Sequence, residues 1–454
     1  MGAGKSTIGP EVAQRLGRPF LDVDGEIERT AVISALFEEG REAEFRSEEA
    51  RVAIDALSRA EPSVIALGAG AVETPPIREA LENRAFTIAV DIDVDTAWER
   101  SRRSGRPLAR DESEFRALYA RRAPLYAQVS DAGVSDADDA VLAAAGAQWH
   151  PGAVEVLGSF GPADTPVALV TDPHVGGIYG AVAQLAFGDR LVSVHEVPAG
   201  EEAKTIAVAE RLWQELRLPR DGAIAALGGG CVTDVVGFVA AGYLRGVPWL
   251  AIPTTLIGQV DAAIGGKTAV NLPAGKNLVG AFHWPGRTVI DPNTLDTLPE
   301  EQRREGMAEV VKTGLLSGEA LWEQPLPQLV RRCAAFKAAV CLRDPYDRGE
   351  RAMLNLGHTF AHALEAAAGY ESVTHGTAVG LGLLAALRLS GRDTGIVESV
   401  LQPKPVRVDR ERAWAALGRD KKRGLVLLAE SGPRWNVQLP DEDVRRALNE
   451  LIAD

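Results

Sequence analysis

Short apolar runs alternate with helical stretches twice along this chain, and that alternation confines it to α/β architecture before any motif is read. In residues 1–145 the runs are Val64 to Leu67 and Phe86 to Val90. The pattern stops around Gly146 to Pro166, where GAQWHPG and SFGPADTP gather Gly, Pro and Asp. A second alternation follows, with buried-strand candidates Val167 to Val170, Ile224 to Leu227 and Trp249 to Ile252. From Pro299 onward the pattern is mostly helical, over Glu300 to Leu316, Leu326 to Leu342 and Ala352 to Ala368. The plan is α/β, then α/β, then α, with domains expected over 1–147, 148–298 and 299–454. A chain of 454 residues accommodates that, since domains usually run to about 100–200 residues.

The net charge of −14 argues against sequence-independent binding to nucleic acid or an anionic membrane. Anionic substrates would then need positive charge gathered locally in clefts. Cys231, Cys333 and Cys341 form no CxxC pair, and so few cysteines fit a reducing cytoplasm. The start, MGAGKST, has no signal-peptide character, and no apolar run approaches the roughly 20 residues that span a bilayer.

Gly2-Ala3-Gly4-Lys5-Ser6-Thr7 matches the end of the phosphate-loop pattern GxxxxGK(S/T). In that pattern the glycines let backbone N–H groups wrap phosphates, the lysine reaches the β/γ-phosphates, and the hydroxyl holds Mg²⁺. Together with the residues after it, this loop resembles shikimate kinase over about 145 residues. Leu21-Asp22-Val23-Asp24 is similar to that family's DxD, Glu44-Phe45-Arg46 to its FR motif, and Gly68-Ala69-Gly70-Ala71 to its GGGA. Arg106-Pro107-Leu108 resembles its lid arginine segment, and Arg121 to Tyr126 its RxPLY. The resemblance implies ATP on Gly2, Gly4, Lys5, Ser6, Thr7 and Arg106, with Mg²⁺ held by Ser6 and Asp22. Shikimate would lie against Asp24, Arg46, Gly68 and Arg122. The family's feeding strand and first loop glycine would precede Met1, Ala69 replaces a glycine, Arg41 stands before Glu42 where a glycine is usual, and Pro10 sits inside the next helix. Weak or no kinase activity is therefore expected, unless the start codon is assigned too far downstream.

Leu227-Gly228-Gly229-Gly230 follows a strand candidate and precedes an apolar helix. Such a turn allows close backbone approach of a pyrophosphate at a helix N-terminus, though a glycine triplet alone more often marks a plain strand–helix turn. Pro198 to Lys204 resembles the PxGExxK of dehydroquinate synthases, and Ile252-Pro253-Thr254-Thr255-Leu256 their PTTL. That resemblance implies NAD, with Asp172, Glu201 and Lys204 at the adenosine end. Gly229, Gly230, Asp234, Thr254 and Thr255 would hold the pyrophosphate and nicotinamide ribose, and Thr297 and Leu298 would add further contacts.

Three of the seven histidines fall within Asn355 to His375. His358 and His362, at i and i+4 on one helical face, look like a zinc clamp on spacing alone. The family resemblance assigns the ligands instead to Glu309, His358 and His375, through Gly306 to Lys312, Leu354 to His358 and His375-Gly376. A His₂Glu set leaves coordination positions open, as a catalytic metal requires, and suits Zn²⁺ or Co²⁺.

Basic residues gather in glycine-rich, otherwise apolar segments around Asp261 to Thr268 and Gly275 to Leu278. The resemblance places Lys267, Asn277, Asn355, His362 and Lys421 (or Lys422) at a substrate phosphate, and Lys276, Lys337 and Arg351 at a carboxylate and ring. Asp261, Lys312 and His362 would handle protons. Arg245 matches an arginine that reaches into a neighbouring subunit, implying a homodimer through the synthase domains. The family's DExExGxR becomes Asp344 to Arg351, with Pro345 and Asp347 replacing Glu.

The implied fold is a P-loop kinase-like α/β domain followed by a Rossmann-like α/β NAD domain and an all-α metal-binding domain. The implied activity is redox-neutral conversion of 3-deoxy-D-arabino-heptulosonate 7-phosphate to 3-dehydroquinate and phosphate, in the shikimate pathway of aromatic amino-acid biosynthesis. The alternatives are another sugar-phosphate cyclase making an inosose or valiolone, a metal-dependent alcohol or glycerol dehydrogenase, and a non-catalytic nucleotide sensor on a scaffold.

Overall fold

The computed structural model describes residues 2–103, 109–370, 372–420 and 424–453. Arg106, Lys421 and Lys422 lie outside the described residues. The chain divides into two compact units between Ala144 and Ala145. The division precedes the expected 147/148 boundary because Ala147–Trp149 is a strand of the second unit, paired with Thr288 to Ile290.

In the first unit, Phe20–Asp22 pairs in parallel with Val64–Ala66, and Ile88–Val90 with Ala132–Val134. Helix Lys5–Leu16 starts at Gly4 and ends at Gly17, both left-handed, and runs unbroken through Pro10. Val23, Ile27, Phe45, Ala53, Ile77 and Leu81 pack together as a core. A cavity of about 1470 Å³ is lined by the phosphate loop, by Val64 to Leu67 and by Thr87 to Asp91. It separates the two strand pairs.

The second unit is built on a six-stranded parallel sheet. Its order is Ala147–Trp149, Arg287–Ile290, Trp249–Pro253, Ala223–Gly228, Val167–Thr171 and Leu191–Glu196. The three central strands are wholly buried, so they read as unbroken apolar runs. Their alternate residues still feed two cores. Ala168, Val170, Ile224 and Ala226 face one, and Val167, Leu169, Ala225 and Leu227 the other. The edge strand Leu191–Glu196 alternates half-buried with exposed residues, as a strand covered on one face should. An antiparallel hairpin, Lys267–Leu272 with Gly275–Phe282, projects from this half.

Beyond it come the helices Glu300–Ser317, Leu326–Arg343, His358–Ala367, His375–Leu389, Arg410–Asp420 and Asp441–Asn449. The single helix expected over Ala352 to Ala368 is broken. A 3₁₀ turn occupies Glu350–Asn355, and Gly357 turns the chain left-handed (φ 79°), so the helix restarts at His358. The helical part also carries an antiparallel hairpin, Leu425–Ala429 with Gly432–Val437, which the mostly helical reading of this region did not anticipate. A Cβ added to Gly382 would meet the Gly357 carbonyl oxygen at 2.0 Å, so the helices bearing His358 and His375 meet backbone to backbone. No helix among the described residues is long and apolar enough to cross a membrane.

Candidate active sites

Three chain segments far apart in sequence deliver one donor cluster, in which Glu309 is buried and both histidines are half-buried. Glu309 lies mid-helix in Glu300–Ser317, while His358 and His375 each open a helix. Among the described residues, these three form a group that could hold a metal ion, with one donor atom from each lying within 4.8 Å of the others. Glu309 Oε1 is 3.1 Å from His375 Nε2 and 3.4 Å from His358 Nε2. Donors about 2.0–2.2 Å from a tetrahedral ion sit roughly 3.3 Å apart, so the trio has the right bite for zinc or cobalt. His362, the other half of the i, i+4 pair, stands edge-on to His358 with ring centroids 5.7 Å apart and is not in the donor group.

The surrounding charges alternate in sign. Glu309 pairs with Lys312, whose ammonium is 3.5 Å from Asp261. Lys337 lies 2.9 Å from the same carboxylate and donates to the Asp261 carbonyl at 2.6 Å. Burial alone would raise Glu309, but Lys312 and then His358 outweigh it and hold the carboxyl well below its usual range. Burial likewise opposes a charged Lys312, yet Asp261 and Glu309 prevail and raise it. Burial disfavours the charged His375 ring, but Glu309 and Glu365 lift it to about 10. A field that retains a proton so firmly is one that would also hold a cation.

The turn Gly258–Ala262 connects this cluster to a second cleft. Asp261 faces the lysines, while Ala262 Cβ lies 3.1 Å from a Cβ built on Gly230. Gly229 caps helix Gly230–Gly242, and a Cβ there would meet Thr255 Cγ2 at 3.1 Å. Close backbone at a helix N-terminus suits a pyrophosphate. Thr254 Oγ1 is buried with no partner. Lys204 reaches Asp234 and Asn277, each at 2.5 Å. Glu201 accepts from Asn271 at 2.7 Å. Asp172 caps the helix Pro173–Phe187 through its Oδ1, accepting from His174 and Val175, and Thr297 is 2.7 Å from the Tyr179 hydroxyl. Leu298 closes the 3₁₀ turn Pro292–Thr297.

In the first unit Lys5 is 3.0 Å from Asp24 and 3.6 Å from Asp22, and Ser6 donates to Asp22 at 2.9 Å. Gly2 and Gly4 have φ of 66° and 91°, and Thr7 N–H closes on the Gly4 carbonyl. A Cβ on Gly68 would strike Glu49 Oε1 at 2.0 Å and Asp24 Oδ1 at 2.8 Å, and one on Gly70 would strike Arg46. Arg46 donates to Glu49 at 2.6 Å, and the buried Arg122 to Glu73 at 2.5 Å. Asp24 and Glu49 therefore close on Gly68, and Arg46 closes on Gly70.

Three family descriptions match this chain. Shikimate kinase matches residues 1–146, 3-dehydroquinate synthase N-terminal matches 194–305, and 3-dehydroquinate synthase C-terminal matches 306–406. The 3-dehydroquinate synthase of a Synechococcus species is 46% identical over 327 residues, covering 64% of this chain and 89% of that protein. The one from Enterococcus faecalis is 39% identical over 317 residues, covering 62% and 88%. This chain belongs to the 3-dehydroquinate synthase family. Its first 146 residues are a fused shikimate kinase domain. Among solved structures it is similar to 2-deoxy-scyllo-inosose synthase complexed with carbaglucose-6-phosphate, NAD⁺ and Co²⁺ (TM-score 0.60, 25% identity, covering 67% of this chain and 96% of that one). It is also similar to 2-epi-5-epi-valiolone synthase from Streptomyces hygroscopicus with NAD⁺ and Zn²⁺ bound (TM-score 0.59, 25% identity, 67% and 96%).

In the synthase unit, some expected cage residues have protein partners. Lys267 pairs with Asp347 at 2.6 Å. Asn277, in a left-handed conformation, accepts from Lys204 at the mouth of the dinucleotide cleft. Arg351 is buried and donates to the Pro345 carbonyl at 3.1 Å. The altered acidic segment has a structural reason. Asp344 accepts from the N–H groups of Arg348, Gly349 and Arg351, Pro345 supplies a carbonyl, and Asp347 neutralises Lys267. Asn355 ends the 3₁₀ turn that precedes His358. Arg245 lies on an exposed turn in which both Leu244 and Arg245 have positive φ.

Three carboxylates went unnoticed in the sequence. Glu49 and Glu73 anchor the kinase arginines, and Glu365 stands 3.6 Å from His375. Glu49 is three residues after Arg46 and Glu365 seven after His358. Both lie on the same helical face as a motif residue, the one signal that could have found them.

Proposed function

We propose that the synthase unit converts 3-deoxy-D-arabino-heptulosonate 7-phosphate to 3-dehydroquinate and phosphate, with NAD and a divalent metal, Zn²⁺ or Co²⁺, as cofactors. The observation that carries the reading is the turn Gly258–Ala262, which touches the Glu309–His358–His375 cluster through Lys312 and the glycine cradle through Ala262. When bound, the ion supplies a Lewis acid for a substrate hydroxyl and the nicotinamide a reversible hydride acceptor. Glu309, His358 and His375 hold the ion. Asp172, Glu201, Lys204, Gly229, Gly230, Asp234, Thr254, Thr255, Thr297 and Leu298 hold the dinucleotide.

Lys276, Lys337 and Arg351 take the substrate carboxylate and ring. Lys267, Asn277, Asn355, His362 and Lys421 take its phosphate. Asp261, Lys312 and His362 exchange protons with the ring. Lys337 and Lys312 are both oriented by Asp261, so they meet an anion without reorganising. The domain bounds 148–298 and 299–454 follow this division of labour, and the enzyme acts in the cytoplasm. An inosose or valiolone product is less well supported, because relatives at 39–46% identity are dehydroquinate synthases and the cyclases stand at 25%.

Phosphate release from the heptulosonate phosphate tests the reading. It is expected to require both NAD⁺ and the metal, to stop on chelation, and to leave near-ultraviolet absorbance flat. Accumulating NADH would instead indicate a simple dehydrogenase.

Assembly as a homodimer is supported by the strained, exposed turn at Leu244 and Arg245, since such backbone persists where function or contact requires it. Arg245 would complete the neighbouring phosphate site. Mixing inactive Arg245→Ala and His358→Ala proteins is expected to restore activity through mixed dimers. No restoration would mean Arg245 acts within its own subunit.

For the kinase domain, ATP and Mg²⁺ bind the loop Gly2 to Thr7 with Asp22, and shikimate binds Asp24, Arg46, Gly68 and Arg122. ATP-dependent phosphorylation of shikimate by the full chain, abolished in Lys5→Ala, tests that reading.

A further inference from the structure

Glu365 is buried within the helix His358–Ala367, with 2% of its surface exposed, and none of the expected site roles uses it. Its carboxylate faces two groups. His375 Nδ1 is 3.6 Å away and Lys276 Nζ 3.4 Å. On the far side of the same imidazole, Nε2 points at Glu309. The Lys276 ammonium also lies 3.2 Å from Glu201, and its position over the Tyr370 ring, 5.1 Å from the centroid, keeps it from swinging free. His358, the other imidazole of the cluster, has its Nδ1 3.2 Å from the Leu356 carbonyl.

An imidazole that binds a metal through one nitrogen carries its proton on the other, and a fixed acceptor there sets both tautomer and ring orientation. His358 has a backbone acceptor for that proton. His375 has a carboxylate, and a carboxylate also makes the ring a better donor. The same carboxylate shares with Glu201 the neutralisation of Lys276, a cation close to the donor cluster. A buried carboxylate without such partners is strongly disfavoured, so its place between two donors is evidence of a role.

We propose that Glu365 is a positioning residue that orients His375 for metal binding and, through Lys276, ties metal occupancy to the hairpin carrying Lys276 and to Glu201. The inference rests on the Glu309–His358–His375 reading given above.

The test uses the full chain loaded with Zn²⁺ or Co²⁺ and measures metal retention against a competing chelator, alongside KM and kcat for phosphate release. Glu365→Gln keeps the size and an oxygen acceptor but removes the charge, and Glu365→Asp keeps the charge on a shorter arm. Glu365→Gln is expected to lose roughly 10- to 100-fold in metal affinity, with the visible Co²⁺ spectrum shifted and circular dichroism unchanged. Glu365→Asp should recover part of the loss. Wild-type retention and an unshifted spectrum in Glu365→Gln would overturn the proposal. So would equal losses in Glu365→Gln and Glu365→Asp, which would indicate packing alone. His375→Ala, measured in parallel, separates the two readings. If it retains metal as well, the ligand assignment fails. If it loses metal while Glu365→Gln does not, only the positioning role fails.

Discussion

His358→Ala is expected to abolish phosphate release while leaving the protein folded. The imidazole opens its helix with its ring inside the donor cluster, 3.4 Å from Glu309 and 5.5 Å, ring to ring, from His375. Alanine keeps helix propensity and removes only the ligand. With two donors left, a site that needs three protein ligands to keep a catalytic metal releases it. A Lewis acid contributes several kcal/mol to the stabilisation of developing charge, and every ~1.4 kcal/mol is tenfold in rate, so a fall of about 1,000-fold or more follows. The measurement is phosphate release at saturating NAD⁺ with metal content determined on the same sample. Normal turnover with full metal content would remove His358 from the ligand set.

The second large effect concerns stability. Lys312→Met should destabilise the synthase unit by about 3–5 kcal/mol, because it strips the shared cation from the buried Glu309 and the half-buried Asp261. Lys312 is 2% exposed, Glu309 1%, and the ammonium lies between Glu309 and Asp261. Methionine fills nearly the same space, so the loss reports charge rather than a cavity. Lys337 still reaches Asp261 at 2.9 Å, and Glu309 therefore carries most of the penalty. Urea unfolding of metal-stripped protein should show the full loss. Added Zn²⁺ should return part of it, since the ion replaces the missing positive charge beside Glu309. A variant as stable as the parent without metal would show that the carboxylates are solvated or protonated in the folded chain.

The central sheet was legible because strands covered on both faces must be apolar throughout, as Val167 to Val170 and Ile224 to Leu227 are. Leu191–Glu196 was not picked out, since an edge strand keeps only every second residue half-buried and spreads its signal. The hairpin Leu425–Ala429 with Gly432–Val437 escaped for a different reason. A short apolar run, four of its five residues buried, cannot be told from a helical turn by periodicity. The helix expected over Ala352 to Ala368 failed at Gly357, where one left-handed residue resets the phase.

At the donor cluster, local spacing points to His358 and His362, whereas the group that could hold a metal is Glu309, His358 and His375. Side chains on three different helices meet through tertiary packing, and no local period encodes that. Their order in the family motifs supplied what spacing could not. Glu365 remained hidden because a buried glutamate seven residues along a helix looks like any solvated one until its neighbours are known.

The bare contact between Gly357 and Gly382 has its own consequence for which ions the enzyme accepts. Where two main chains touch, there is no flexible spacer to yield, so the gap between the imidazoles beyond them is as stiff as the helices themselves. An ion content with short bonds to nitrogen and few neighbours suits that gap. Calcium, which seeks six to eight oxygens at about 2.3–2.6 Å, would find one carboxylate and two imidazoles there, so a cluster held at that spacing would disfavour it.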